Sequence, residues 1–272
     1  MQSVVRGLPI RYDVVGSGRP VLVIHGTPLD HRSMESVLEP VFSRRGGWSR
    51  IYLDLPGHGD TPGAESITNN DQMVDVVTAF VENVIPGQRF ALIGESYGGY
   101  LARGIVHHQA TRIDGLFLWT PAKYPREERR KVPAPTVRVQ DDRVAAGLAS
   151  DAERDMFSMF IVQSQEAMDF ARAHILPGFG LADYKFIDRM VNTKFSFDVE
   201  SRPFQNPTLI LCGRQDWVVG YQDAYDILNT YPMATLVIAD GAGHPLGFTE
   251  RTHLFDFLVN QWLDDVEHHV PR

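Results

Sequence analysis

The pentapeptide Gly-Glu-Ser-Tyr-Gly at residues 94–98 constrains the fold of this chain more than any other segment. It follows the apolar run Phe90–Ile93 and precedes a stretch that can begin a helix. Glycines two residues before and two residues after a serine suit a sharp strand-to-helix turn, because side chains there would crowd the backbone. Such a turn holds the serine hydroxyl where a neighbouring base can activate it. The pattern therefore predicts a nucleophilic Ser96 at the carboxyl end of a buried strand.

Two later apolar runs are each followed by a residue that can complete a catalytic triad in the chain order serine, acid, histidine. Residues 207–212 form the first run, and the turn after it carries Asp216. Residues 234–239 form the second, and the glycine-rich loop after it carries His244. In that arrangement His244 would accept the proton of Ser96, while Asp216 would orient the imidazole ring. Each residue alone is common in a turn, but three in this order favour a hydrolytic site over coincidence.

The loop after an early strand supplies a fourth element of such a site. Residues 20–24 are mainly apolar, and His-Gly-Thr-Pro follows at residues 25–28. Acyl transfer uses two backbone N–H donors for the oxyanion, one from the residue after the nucleophile and one from an early loop of this kind. We therefore expect the N–H groups of Tyr97 and Thr27 to form the oxyanion hole.

Together these segments resemble the α/β-hydrolase superfamily, in its branch with a serine nucleophile. The resemblance rests on residues 25–28, on Asp-Leu-Pro-Gly-His-Gly-Asp-Thr at residues 54–61, and on the segments around Ser96, Asp216 and His244, which span nearly the whole chain. The superfamily contains esterases, lipases, lactonases, C–C bond hydrolases, aminopeptidases, dehalogenases and epoxide hydrolases. The resemblance therefore implies the fold without naming a substrate.

The alternation of apolar runs and helical stretches predicts an α/β fold with a doubly wound, mostly parallel sheet. Strands covered on both faces have continuous apolar sequences, and such runs occur near residues 20–25, 50–54, 90–94, 115–120, 207–212 and 234–239. Helical stretches occur at residues 70–83, 98–108, 221–230 and 249–267. The opening residues 4–5 and 10–14 suggest an antiparallel hairpin.

About 80 residues after the predicted strand at residues 115–120, the sixth when the opening hairpin is counted, lack a convincing buried strand, and a structureless loop of that length is unusual in a compact domain. We therefore predict a helical cap at residues 122–202, which divides the hydrolase core into residues 1–121 and 203–272. Helical spacing recurs in the cap at residues 151–163, 166–175 and 181–191. Its first part, residues 123–135, carries charges of both signs, which favours a solvated segment over an anion site. In the family, such an insertion covers the active site.

Several side chains are candidates for the wall of a substrate pocket. Met156 and Phe160 in the cap can line an apolar site, although the same residue types also attach cap helices to a core. Glu95 can contact a substrate or the His244 loop, or can turn toward the rim of the sheet. His25 occupies a loop motif in which it more often organises the backbone. The complete set of candidates is His25, Glu95, Trp119, Met156, Phe160, Trp217 and Leu246.

Composition limits the partners and the compartment. A net charge of −8 argues against nucleic acid or an anionic membrane surface as a partner. Residues 1–9 lack the pattern of a secretory leader, and no apolar run approaches the ~20 residues that span a bilayer. We therefore expect a cytoplasmic protein that acts on a small molecule. Without Cys, His and carboxylate groups at zinc spacing, we expect neither a metal nor a cofactor, and the oligomeric state stays open.

The serine at the strand-to-helix turn disfavours some of the reactions that the superfamily catalyses. Dehalogenase and epoxide hydrolase relatives carry aspartate at the position of Ser96, so the resemblance disfavours those reactions. Aminopeptidase relatives carry Gly-Gly-Pro-Gly after the first histidine, where this chain has Gly-Thr-Pro-Leu at residues 26–29, which disfavours a peptidase. The leading hypothesis is hydrolysis of a small or medium carboxylic ester through an acyl-enzyme. The alternatives are C–C bond hydrolysis of a ring-cleavage diketone, lactone or amide hydrolysis, and a non-catalytic small-molecule receptor.

Overall fold

The computed structural model describes residues 1–269. Within them the chain forms ten strands: β1 (Gln2–Val5), β2 (Leu8–Gly16), β3 (Arg19–Ile24), β4 (Trp48–Leu53), β5 (Phe90–Glu95), β6 (Ile113–Trp119), β7 (Val139–Gln140), β8 (Val162–Gln163), β9 (Thr208–Gly213) and β10 (Ala234–Ala239). Eight of them form the central sheet in the order β1-β2-β4-β3-β5-β6-β9-β10, and β7 pairs with β8. The antiparallel pairs are β1/β2 and β2/β4, and the other pairs of the central sheet are parallel.

The helices of the described residues are α1 (His31–Phe42), α2 (Asn70–Val84), α3 (Tyr97–Gln109), α4 (Asp142–Ala146), α5 (Asp151–Met159), α6 (Gln165–His174), α7 (Leu176–Leu181), α8 (Tyr184–Val191), α9 (Gln222–Asp226) and α10 (Thr252–His268). They cover both faces of the sheet. Along β3, for example, Leu22 and Ile24 pack in a core cluster with α2 and α3, while Val21 and Val23 pack with α1 and α10. None of the helices in residues 1–269 combines the length and the apolar character needed to cross a membrane.

This architecture confirms the predicted doubly wound, mostly parallel sheet and the antiparallel hairpin at its start. The strand order places the carboxyl ends of β3, β5, β6, β9 and β10 along one edge of the sheet. Loops after parallel strands meet at that edge, which is where open α/β sheets bind ligands. The chain between β6 and β9 contains α4–α8 and the short β7/β8 pair.

Three predicted helices differ from the observed ones. The helix predicted at residues 151–163 ends at Met159, because Phe160 is extended and Val162–Gln163 pairs with β7. The helix predicted at residues 221–230 divides into α9 and a short 3-10 turn at Leu228–Thr230. The helix predicted from residue 249 begins at Thr252, since the left-handed backbone of Arg251 (φ 54°) interrupts a continuous helix before it.

The turn between β5 and α3 depends on a close approach of two backbones at Gly98. A methyl group there would lie 2.3 Å from the carbonyl oxygen of Ile24 and 2.6 Å from that of His25. We therefore expect Gly98→Ala to lower the free energy of unfolding by about 3 kcal/mol, as overpacking of a rigid site does. Thermal denaturation should show a melting temperature lower by roughly 6–12 °C.

Gly180→Ala is the matched control for that substitution. Gly180 lies on an exposed part of α7, and no atom outside its own helix lies within 4 Å of a methyl group placed there. Its melting temperature should equal or exceed that of the wild type, because alanine favours helix. Equal melting temperatures for Gly98→Ala and the wild type would contradict the close packing of this turn.

Candidate active site

A continuous hydrogen-bonded row joins Ser96, His244 and Asp216 at the carboxyl edge of the sheet. The Oγ atom of Ser96 lies 3.1 Å from Nε2 of His244. The Nδ1 atom of the same ring lies 2.9 Å from Oδ2 of Asp216. The three residues follow β5, β10 and β9, respectively, so that side chains up to 148 positions apart in sequence meet in one site.

The backbone at Ser96 has the unusual angles φ 50° and ψ −115°. A serine rarely adopts this conformation, and strain of this kind persists only where the surrounding structure imposes it. The N–H of Ser96 donates to the carbonyl of Trp119 at 3.0 Å, and its carbonyl accepts from Tyr100 and Ala122, each at 3.1 Å. These contacts hold the turn between β5 and α3 in place and direct the hydroxyl group toward His244.

The contact between Asp216 and His244 shifts the pKa of each group in favour of its charged form. Burial alone would raise the pKa of Asp216, but its contacts with His244 and with the N–H groups of Val218 and Val219 outweigh burial and lower that pKa. Burial alone would lower the pKa of His244, but the charge and hydrogen bond of Asp216 outweigh it and raise that pKa. An ionised Asp216 accepts Nδ1–H of the ring, which leaves Nε2 to accept the proton of Ser96.

Thr27 and Tyr97 both line the cavity beside Ser96. Within residues 1–269, neither backbone N–H donates a hydrogen bond to another group of the chain. His58 fixes the Thr27 side chain. The Thr27 hydroxyl donates to Nε2 of His58 at 2.9 Å, and Nδ1 of the same ring donates to the carbonyl of Pro56 at 3.0 Å. Burial lowers the pKa of His58 to about 3, so the ring is neutral and can accept this bond.

His25 organises the same loop and does not line the cavity, which corrects its place among the pocket candidates. Its Nε2 accepts the N–H of Leu55 at 3.0 Å, and its Nδ1 donates to the carbonyl of Gly26 at 2.7 Å. The ring is fully buried, and burial lowers its pKa. Because both nitrogens already have backbone partners, the ring ties the loop after β3 to the loop after β4.

A second buried cluster, Asp30, His31 and Asp54, places three potential metal-ligand atoms within 4.8 Å of one another. Ion pairs account for this arrangement. Asp54 accepts from Nδ1 of His31 at 2.7 Å and from the N–H of Asp60 at 2.9 Å, while Asp30 pairs with Arg32. The cluster anchors the start of α1 to residues 54–60.

The cavity next to Ser96 has a volume of about 450 Å³. Its apolar wall contains Leu29, Met156, Met159, Ile175, Phe179, Ile187, Val191, Val218 and Phe248. Its polar and charged part contains Glu95, Arg126, Glu127, Glu128, Arg130, Asp188 and Asn192. Most of these residues belong to the chain between β6 and β9, which therefore forms much of the wall opposite the sheet.

The structure corrects four more of the predicted pocket residues. Glu95 and Met156 line the cavity, whereas Trp119, Phe160, Trp217 and Leu246 do not. Trp119 is fully buried, its ring packs against Phe248, and its Nε1 donates to the carbonyl of Leu246 at 2.7 Å. Phe160 is fully buried in the same core cluster, and the half-buried Trp217 lies outside the wall.

Sequence reasoning missed Val218 and Phe248, which do line the cavity. Both residues lie close in sequence to Asp216 and His244, and this proximity could have indicated them as candidates. It also missed Glu250, whose buried carboxylate accepts the N–H of Gly243 at 2.6 Å and that of Ile161 at 2.5 Å. This carboxylate ties the loop that carries His244 to the chain after α5, and no local pattern in the sequence indicates that contact.

Comparison with known proteins establishes the family. A family model described as "Serine aminopeptidase, S33" matches residues 19–251, so the chain belongs to this family of α/β hydrolases. A solved structure of an α/β superfamily hydrolase from Oenococcus oeni PSU-1 is 30% identical, covers 98% of this chain and 99% of its own, and superposes with a TM-score of 0.89. The predicted fold class and the predicted class of enzyme, an α/β-fold hydrolase, are confirmed.

Two more distant solved structures share the fold. A thermophilic esterase from Thermogutta terrifontis is 22% identical, covers 98% of each chain and has a TM-score of 0.70. A meta-cleavage product hydrolase from Pseudomonas fluorescens IP01 is 22% identical, covers 97% of each chain and has a TM-score of 0.72. At this identity the likeness shows the common fold alone, so the bond that this protein cleaves has to be argued from its own site.

Proposed function

We propose that the protein hydrolyses a carboxylic ester of small or medium size through an acyl-enzyme formed on Ser96. The Oγ atom attacks the ester carbonyl while His244 takes its proton, and His244 then gives that proton to the leaving alcohol. A water molecule, activated by the same imidazole, attacks the acyl-enzyme and releases the acid. Asp216 holds the ring in the required tautomer and stabilises the imidazolium. The hydrogen-bonded row from Ser96 Oγ to Asp216 is the observation that carries this proposal.

The proposed oxyanion donors are the backbone N–H groups of Thr27 and Tyr97. Their support is that both residues line the cavity beside Ser96 and that, among the described residues, neither N–H has another partner. Donors that are already in place cost no reorganisation when the negative charge develops on the carbonyl oxygen. Loss of one such donor typically slows a reaction by about 10²–10³-fold.

We further propose that residues 122–202 form a cap that selects the substrate. The support is that α5, α7 and α8 contribute apolar side chains to the cavity, among them Met156, Phe179 and Ile187. A volume of about 450 Å³ lies within the range of about 300–1,000 Å³ that is usual for small-molecule sites. A small ester with an apolar acyl group therefore fits the cavity better than a polymer does.

Turnover of p-nitrophenyl esters of increasing acyl length, from acetate to dodecanoate, tests the proposal. The Ser96→Ala variant serves as the blank for spontaneous and non-specific hydrolysis. We expect turnover that requires Ser96 and that is greatest at one chain length, because the apolar wall of the cavity limits the acyl group. Equal rates for the two proteins across the series would overturn the proposal.

Hydrolysis of a C–C bond is the second candidate, because a meta-cleavage product hydrolase shares the fold over nearly the whole chain. That reaction proceeds through ketonisation of a dienol, which changes the absorbance before the product appears. A ring-cleavage diketone therefore belongs in the same assay. Turnover of the diketone that requires Ser96, in the absence of any ester turnover, would replace the ester proposal with this one.

A further inference from the structure

Glu95 is a buried carboxyl group beside the nucleophile that the proposed reaction does not use. It ends β5, directly before Ser96, and its residue is 1% exposed. Its Oε1 lies 3.6 Å from Nε2 of His244 and 3.5 Å from Oγ1 of Thr120. Its Oε2 is buried and has no hydrogen-bond partner within residues 1–269. Burying a carboxyl oxygen without a partner costs free energy, so its presence calls for an explanation.

The groups that face Glu95 come from each of the neighbouring loops. His244 and Asp216 approach from the loops after β10 and β9, Thr120 follows β6, and Gly26 follows β3. Among the described residues, His244 is the one basic side chain within 4.0 Å of the carboxylate. The guanidinium of Arg130 donates to three backbone carbonyls, and its positive charge acts to lower the pKa of His244. The charge of Glu95 therefore acts chiefly on His244.

The surroundings of Glu95 and His244 raise the pKa of each group. Burial raises the pKa of Glu95 to about 7, and the charge of His244 opposes this increase. Burial lowers the pKa of His244, but Asp216 first and Glu95 next outweigh it, so that the imidazole pKa is raised from 6.5. When two titratable groups interact strongly, the protons are lost in two steps. The apparent pKa of each step then describes the pair and cannot be assigned to one group alone.

We propose that Glu95 is a positioning residue that shares a proton with His244 and thereby sets the pH range of hydrolysis. At low pH both groups are protonated, and His244 cannot accept the proton of Ser96. With one proton on the pair, the proton resides either on Glu95, which leaves His244 free to act as a base, or on His244. With both protons lost, the carboxylate lies 3.6 Å from the imidazolium that forms when Ser96 attacks, and stabilises it.

The effect of removing this charge follows from the same contacts. Glutamine has nearly the shape of glutamate but carries no charge, so Glu95→Gln should lower the imidazole pKa of His244. The acid limb of the kcat/KM profile should move to lower pH by about one unit, the lower end of what a charge at this distance does. At high pH the rate should fall by up to about tenfold, since a base that is weaker by one pKa unit loses at most the corresponding tenfold factor.

The activity test compares the pH dependence of kcat/KM for the wild type, Glu95→Gln and Glu35→Gln. Glu35 is the matched control, because it is also a partly buried glutamate with a raised pKa but lies on α1, outside the cavity. A shifted acid limb for Glu95→Gln alone is expected. An unshifted limb with a uniformly lower rate would mean a merely structural role and would overturn the proposal. This readout depends on the proposed ester hydrolysis.

An NMR titration of the His244 ring needs no substrate and therefore separates the two proposals. The ring signals are assigned by their absence from His244→Ala. We expect two titration steps in the wild type and one step, at lower pH, in Glu95→Gln. A single step in the wild type would overturn the role of Glu95 even if the variant fails to fold. Two steps in a protein that cleaves no ester would support Glu95 while the proposed function fails.

Discussion

Replacing Ser96 by alanine is expected to lower kcat for a cleaved ester on the order of 10⁶-fold, the size of effect known for loss of a serine nucleophile. The reason is that without Oγ no acyl-enzyme can form, and His244 has no hydroxyl to activate. The substitution removes one hydrogen bond, of 3.1 Å, and leaves the backbone contacts of the turn in place. The melting temperature should therefore stay within about 2–4 °C of the wild type, the change that 1 kcal/mol produces.

Ser36→Ala is the control for that experiment. Ser36 is half-buried on α1, its hydroxyl donates to the carbonyl of Ser33 at 2.8 Å, and it lies outside the cavity. Its kcat should match that of the wild type. A Ser96→Ala protein that is folded and retains more than a few per cent of wild-type kcat would show that another group is the nucleophile.

Asp216→Asn should reduce kcat by about 10⁴-fold, the loss that follows when the orienting aspartate of a triad becomes asparagine. The asparagine oxygen can still accept from the N–H groups of Val218 and Val219, so the local backbone should persist. Its NH₂ group then faces Nδ1 of His244, which favours the tautomer with the proton on Nε2. A protonated Nε2 cannot accept the proton of Ser96, and the imidazolium loses its counter-charge.

The control for this charge change is Asp223→Asn. Asp223 is also fully buried, and its Oδ2 accepts the N–H of Lys131 at 3.0 Å, but it lies on α9 and not in the cavity. Near-wild-type kcat is expected for it at 25 °C. If Asp216→Asn and Asp223→Asn lowered kcat equally, the loss would come from replacing any buried aspartate by asparagine. It would then not show that Asp216 orients His244.

The positions of Ser96, Asp216 and His244 could be inferred from the sequence for a physical reason. Each follows a continuous apolar run, and such runs form parallel strands whose carboxyl ends lie on one edge of a sheet. Residues that are far apart in the sequence are then brought together by the order of the strands in the sheet. The contact between β9 and β10, for example, pairs all six residues of each strand in parallel register, which brings the loops with Asp216 and His244 together.

The residues of the cavity wall were harder to predict from the sequence. The direction of a side chain depends on which of the two alternating faces of a strand it occupies, and on the conformation of irregular loops. Trp119 ends an apolar strand, and nothing in an all-apolar run tells which alternate residues face which layer. In the structure Phe117 and Trp119 pack toward α10, and Leu116 and Leu118 pack toward α2 and α3. Phe160 likewise follows the end of α5 by one residue, where the extended backbone turns it into the core.

Covalent labelling tests the central claim, that Ser96 is the nucleophile, most directly. The protein is treated with p-nitrophenyl diethyl phosphate, and the adduct is located by mass spectrometry after digestion with trypsin. Cleavage after Arg89 and Arg103 releases residues 90–103, in which Ser96 is the only serine or threonine. We predict one diethylphosphoryl group on this peptide at Ser96, acquired in parallel with loss of activity and absent from Ser96→Ala. Complete loss of activity with the label on another residue would contradict the account.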